Sequence, residues 1–202
     1  MKSISDTFET IHAIISALPG EVKAAIVGGY AAILHGLERT TLDVDICLYS
    51  GVSHERASDE MFGLLKAHLP ERFRAELVRG TLVPDDPFQH DLIVIDDRQG
   101  DFPRIDLILA RYRWELEAIQ EAQVMAGIPL PVVSRPHLVA MKLRSTGLKD
   151  ESDVVGLMGL MDDEERIKAC ELARRVGRAR KLSRLLTPLP EEGEETPDEF
   201  IA

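Results

Sequence analysis

An α+β fold, with a mixed β-sheet flanked by helices and a helical C-terminal extension, is what this sequence predicts on three observations. Alternating apolar runs of strand type are interspersed with helical patterns over residues 1–134, and from residue 135 onward only helical periodicity remains. The third is composition: 202 residues, 45% hydrophobic and 29% charged, suffice for one good core or for a catalytic domain with a small helical extension.

In chain order, Phe8, Ile11, Ile14, Ile15 and Leu18 recur at helical spacing behind a cap at Asp6 or Thr7, and Pro19-Gly20 ends that helix. A short apolar strand, Ala24 to Val27, runs into Gly28-Gly29 and a helical segment from Tyr30 to Gly36. The alternating run Leu42 to Leu48 is a strand, followed by a helix from about His54 to His68 that Pro70 closes. Strands near Phe73 to Arg79 and His90 to Ile95 flank a turn at Pro84-Asp85-Asp86-Pro87, and Arg104 to Leu109 alternates again. Helices are expected over about Tyr112 to Met125, Pro136 to Ser145, Asp150 to Met161 and Asp163 to Leu186, with a short strand at Ile128 to Val133. Three units result: residues 1–134 with mixed strands and helices, 135–187 as a helical C-terminal extension, and 188–202 as an acidic tail expected to be disordered.

Charge and apolar patterning narrow the function classes. The formal net charge is -11, which argues mildly against a duplex-binding role, since gripping many phosphates favours a basic surface. Six of the negative charges, Glu191, Glu192, Glu194, Glu195, Asp198 and Glu199, are confined to the tail. Just before it, Arg174, Arg175, Arg178, Arg180, Lys181 and Arg184 sit in a helical pattern, where positions 174, 178 and 181 would share a face. That face is either solvated and internally ion-paired or a stripe for RNA phosphates. No apolar run approaches a membrane span and the N-terminus lacks a secretory pattern, so a cytoplasmic protein with no membrane partner is expected. Cys47 and Cys170 offer neither zinc spacing nor a disulfide framework.

The chemistry concentrates in Ile26 to Leu48, IVGGYAAILHGLERTTLDVDICL. Strand alternation sends Asp43, Asp45 and Cys47 to one face and Val44, Ile46 and Leu48 to the other. Two carboxylates whose Cα atoms are roughly 6.5–7 Å apart on one face can converge on a hard cation. Asp106, flanked by Ile105 and Leu107, is placed to join them, and amides of the glycine turn can meet phosphate oxygens. Alone, Asp-x-Asp also describes a solvated strand face, and Gly-Gly a turn.

Taken in order, Gly28-Gly29, a short helix, Arg39-x-Thr41-x-Asp43-x-Asp45 on a strand and Asp106 on a later strand resemble the nucleotidyltransferase superfamily related to DNA polymerase β. More narrowly, the pattern is similar to the AbiEii type of bacterial nucleotidyltransferase, some members of which are toxins of toxin–antitoxin pairs. The resemblance implies that Asp43, Asp45 and Asp106 are catalytic and bind Mg²⁺ or Mn²⁺, and that Gly28, Gly29, Arg39, Thr41 and Lys142 position a nucleoside triphosphate. It also maps Lys149, Asp150 and Asp153 onto a turn that closes the nucleotide site. The residues themselves are equally compatible with Lys142 on the outer face of an amphipathic helix and with Asp150 as an N-cap. Gly29 stands where many members carry serine. The activity implied is transfer of a nucleoside monophosphate to an acceptor hydroxyl on RNA, such as tRNA, or on protein, with a cognate antitoxin as a further partner. A cationic small-molecule acceptor of the aminoglycoside kind, or a non-catalytic binding module on the same fold, are the alternatives.

Overall fold

The computed structural model describes residues 2–51, 57–81 and 89–187. Helix α1 (Ile4–Ser16) buries Phe8, Ile11, Ile14 and Ile15, the face that the periodicity selects. Its cap is Ser3 rather than Asp6 or Thr7. The Ser3 hydroxyl accepts the Asp6 N–H and the Asp6 carboxylate accepts the Ser3 N–H, both at 3.1 Å, so Asp6 closes a reciprocal capping box from inside the first turn.

Strands β1 (Val22–Ile26), β2 (Asp43–Ser50), β3 (Phe73–Val78), β4 (Leu92–Asp97) and β5 (Arg104–Leu109) form one sheet in the order β1-β2-β5-β4-β3. Only β2 and β5 run parallel; the other pairings are antiparallel, which makes the sheet mixed. Alternation directs Val44, Ile46, Leu48, Ile105, Leu107, Ile93 and Ile95 into the core, all at 1% exposure or less. Helices α1 and α3 (Ala57–His68) pack toward this side. Toward the other face lie α2 (Gly28–Leu34), α4 (Arg113–Gln120) and α5 (Arg135–Arg144). Helices α6 (Leu148–Leu160), α7 (Asp163–Arg175) and α8 (Ala179–Leu186) follow, and buried residues of the sheet and of α5, α6 and α7 join one hydrophobic cluster.

Several boundaries differ from expectation for local reasons. Helix α2 starts at Gly28, so the glycine pair is its first turn instead of a separate turn before Tyr30. Residues 128–133 form no ladder: Val132 alone makes isolated bridges, to Ile26 and to Gln123, because Pro129 and Pro131 have no N–H to donate. Helix α4 ends at Gln120, where the chain turns toward the Gln123–Val132 bridge. The single helix expected over residues 163–186 is broken after Arg175. Gly177 takes φ +70°, and Arg178 N–H donates to Ala173 O at 2.7 Å, a glycine C-terminal stop. The expected start of α3 at His54, the 84–87 turn and the acidic tail lie outside the described residues.

Candidate active site

Strand register brings the three aspartates together. In the parallel β2–β5 pair, Asp43 stands beside Arg104 and Asp45 beside Asp106. One carboxylate oxygen from each of Asp43, Asp45 and Asp106 lies within 4.8 Å of the others. Burial, reinforced by the negative charges of Asp43 and Asp106, raises Asp45 to a pKa of about 6, against weaker opposing effects from the Gly29 N–H and Lys142. Asp106 is also raised by burial, although Arg104 Nε, 2.6 Å from its Oδ1, pulls the other way. Three hard oxygen donors that repel one another at this spacing fit a divalent cation such as Mg²⁺ or Mn²⁺.

The glycine pair is required by the closeness of this cluster. Gly28 has φ +63°, and a Cβ there would lie 1.9 Å from Asp45 Oδ2. The Gly29 N–H donates to the same oxygen at 3.4 Å. A Cβ on Gly29 would meet the Thr41 hydroxyl at 2.7 Å, and that hydroxyl donates to Asp43 Oδ1 at 2.8 Å. Any side chain at position 29, serine included, must displace the threonine that orients Asp43.

Arg39 and Lys142 are placed differently from one another. Lys142 is buried on α5 and lines the same cleft as Gly28 and Asp45, with Nζ 2.8 Å from Asp150 and 2.6 Å from Asp153. Arg39 is ion-paired with Asp153 and so serves first to tie the segment before β2 to α6. Asp150 does not cap α6, whose N-cap is Gly147. It sits in the first turn, where bonds from Lys142 and Ser145 outweigh burial and lower its pKa. Lys149 is exposed. His35 is half-buried with Nε2 2.7 Å from Val133 O, and Cys47 is packed, its thiol pushed far up by burial. Neither offers a free catalytic group.

One residue at the site was missed. Arg104 neutralises part of the cluster, and its i, i+2 relation to Asp106 on an alternating strand was the available signal. The basic stripe, by contrast, does not form. The stop at Gly177 puts Arg174 on α7 and Lys181 on α8, so they share no helix face. Lys181 pairs with Glu151 at 3.1 Å, Arg184 with the same carboxylate at 3.6 Å, and Arg175 with Glu117. No helix among the described residues is long and apolar enough to cross a membrane.

No protein-family model and no curated protein sequence matches the chain. Among solved structures it is similar to the solution structure of the antibiotic-resistance factor ANT(2'')-Ia, with TM-score 0.48 and 16% identity over 89% of this chain and 98% of that one. It is likewise similar to the crystal structure of ANT(2'')-Ia in complex with adenylyl-2''-tobramycin, with TM-score 0.48 and 18% identity over 84% and 98% of the two chains.

Proposed function

We propose that this chain is a metal-dependent nucleotidyltransferase, transferring a nucleoside monophosphate from a nucleoside triphosphate to an acceptor hydroxyl. The observation that carries the reading is the convergence of Asp43, Asp45 and Asp106 to within 4.8 Å beside a glycine turn with no room for a side chain. Asp43, Asp45 and Asp106 would hold the cation, which when bound supplies neutralisation of the carboxylates and of charge on the transferring phosphate. Thr41 orients Asp43, and the Gly28-Gly29 backbone lets phosphate oxygens approach without steric hindrance. Lys142, lining the same cleft as Asp45, adds a buried positive charge for the triphosphate once Asp150 and Asp153 yield. The acceptor oxygen bonds to the α-phosphorus, the bond from that phosphorus to the bridging oxygen breaks, and pyrophosphate leaves with the electron pair. Asp106, beside Asp45 on the neighbouring parallel strand, would take the acceptor's proton.

The acceptor divides two finer readings. An AbiEii-type enzyme acting on RNA or protein, with an antitoxin partner, rests on the motif order from Gly28 to Asp106. A small cationic acceptor is favoured by a specific observation: Arg175, Lys181 and Arg184, three of the six basic side chains between residues 174 and 184, are ion-paired with Glu117 and Glu151 in a chain of net charge -11. Incubation with each α-labelled nucleoside triphosphate and Mg²⁺, in parallel with total RNA, extract protein or an aminoglycoside, tests both levels. Label on one acceptor class is expected; no transfer to any of them, with Asp45→Asn indistinguishable from wild type, would defeat the reading.

A further inference from the structure

The cleft that contains Asp45 and Lys142 has a second polar end. It encloses about 350 Å³ between the sheet and helices α4 and α5. Its floor follows the strands away from the carboxylates: Asp45 pairs with Asp106, Cys47 with Ile108, Ile108 with Leu92, and His90 lies two residues beyond. Since Val94 pairs with Asp106, His90 is four residues from that row, about 13 Å along the strand direction. Between the two ends the walls are apolar, formed by Ile108, Trp114, Leu138 and Met141.

At the far end, Glu115 is buried at 4% exposure and has an assigned partner for each oxygen. Its Oε2 accepts the backbone N–H groups of Arg111 and Tyr112 at 2.8 and 2.9 Å, and its Oε1 lies 2.6 Å from His90 Nε2. In the neutral imidazole that contact keeps the N–H at Nε2, donating to the carboxylate, and leaves Nδ1 as an acceptor. Arg144 is fixed at the same end, 2.5 Å from Gln89 Oε1 and stacked over the Tyr112 ring at 4.7 Å. An anchored acceptor and an anchored guanidinium donor beyond an apolar slot match the polar edge and flat faces of an aromatic heterocycle. The guanidinium disfavours a cationic acceptor there.

We infer that the far end of this cleft binds the base of the nucleoside triphosphate, with His90 and Arg144 as specificity-determining residues and Glu115 as the positioning residue that fixes His90. The inference rests on the nucleotidyltransferase reading and deepens it: phosphates at the carboxylate end, the base about one nucleotide's length away at the imidazole end. The pairing of His90 with Glu115, 25 residues apart, has no local sequence signal.

Calorimetric titration of the full chain with Mn²⁺ and, in turn, ATP, GTP, CTP, UTP and inorganic tripolyphosphate tests it. Wild type is expected to bind at least one nucleotide about tenfold or more tighter than tripolyphosphate, with unequal affinity among the four bases. His90→Ala, and Met141→Trp filling the apolar middle, should each remove that increment and level the four bases while tripolyphosphate affinity stays unchanged. Glu115→Gln, which keeps an oxygen for the two N–H groups, should reduce base discrimination without moving tripolyphosphate affinity. Tripolyphosphate binding with unaltered base preference in both His90→Ala and Met141→Trp overturns the inference and leaves the nucleotidyltransferase reading standing. Failure of wild type to bind tripolyphosphate and all four nucleotides overturns both.

Discussion

Asp97 and Asp45 stand on the same sheet in opposite surroundings. Asp97, at the end of β4, receives Arg72 at 3.0 and 2.6 Å on its two oxygens and the N–H groups of Gln99, Asp101 and Phe102 at 2.8–3.2 Å. The Arg72 bonds foremost hold its carboxyl far below the usual range. Asp45 receives one N–H at 3.4 Å and faces Asp43 and Asp106, and its pKa is pushed up to about 6. A carboxylate whose donors are all supplied by the fold makes a turn. One left among like charges needs something from outside the chain, and perturbation of that kind marks functional positions.

The largest effect expected from this contrast is on catalysis. Asp45→Asn should cut nucleotidyl transfer by at least about a hundredfold in a labelled-nucleotide assay, whereas Asp97→Asn should leave turnover of the folded fraction near wild type. Stability should move in the reverse sense. Without metal at pH 8, Asp45→Asn removes a buried like charge and should stabilise the chain by about 2 kcal/mol, while Asp97→Asn lowers the melting temperature.

The same pair predicts opposite pH responses. In the folded chain Asp45 titrates near 6 instead of 3.8, so its contribution to stability is complete below about pH 4 and is lost as pH rises through 6. Asp97 is lowered, so its contribution is present above about pH 4 and is lost only as pH falls through its folded-state value. Melting curves with and without Mg²⁺ should therefore diverge between pH 4 and 7, the metal-induced gain growing with pH. A gain that is flat across this window, or unchanged in Asp45→Asn, places the cation elsewhere.

Smaller effects sharpen the contrast. Gly28→Ala combines a left-handed backbone, costing about 1–2 kcal/mol, with a Cβ that collides with Asp45, so metal response should fall more than stability does. Smallest is Arg184→Glu, which exchanges a long, largely exposed ion pair with Glu151 for a repulsion and should cost about 1 kcal/mol or less. It should leave RNA affinity unmoved. A large loss of RNA binding would restore the basic segment as a nucleic-acid surface.

The difference between these two carboxylates also explains what could be read in the sequence. Period-2 alternation fixed the strands and the common face of Asp43, Asp45 and Asp106, because each strand carries its own face assignment residue by residue. Gly28-Gly29 was legible as a glycine pair between a strand and a helix, and its need for glycine comes from contacts with Asp45 and Thr41 less than 20 residues away. What lay hidden depends on packing between distant segments. Arg39 meets Asp153 across 114 residues, and His90 meets Glu115 across 25, with no period linking the partners. The break at Gly177 was missed because apolar spacing continues through it from Leu172 to Leu182. Pro129 and Pro131 marked the failed strand, but the apolar run around them concealed the missing donors.

The most direct test of a cation held by Asp43, Asp45 and Asp106 is Mn²⁺ binding followed by electron paramagnetic resonance, in wild type and Asp45→Asn, with and without a nucleoside triphosphate. The account predicts that wild type binds Mn²⁺, that the nucleotide tightens binding and changes the spectrum, and that Asp45→Asn loses both. Equal Mn²⁺ binding in the two proteins, or a spectrum insensitive to nucleotide, would contradict it.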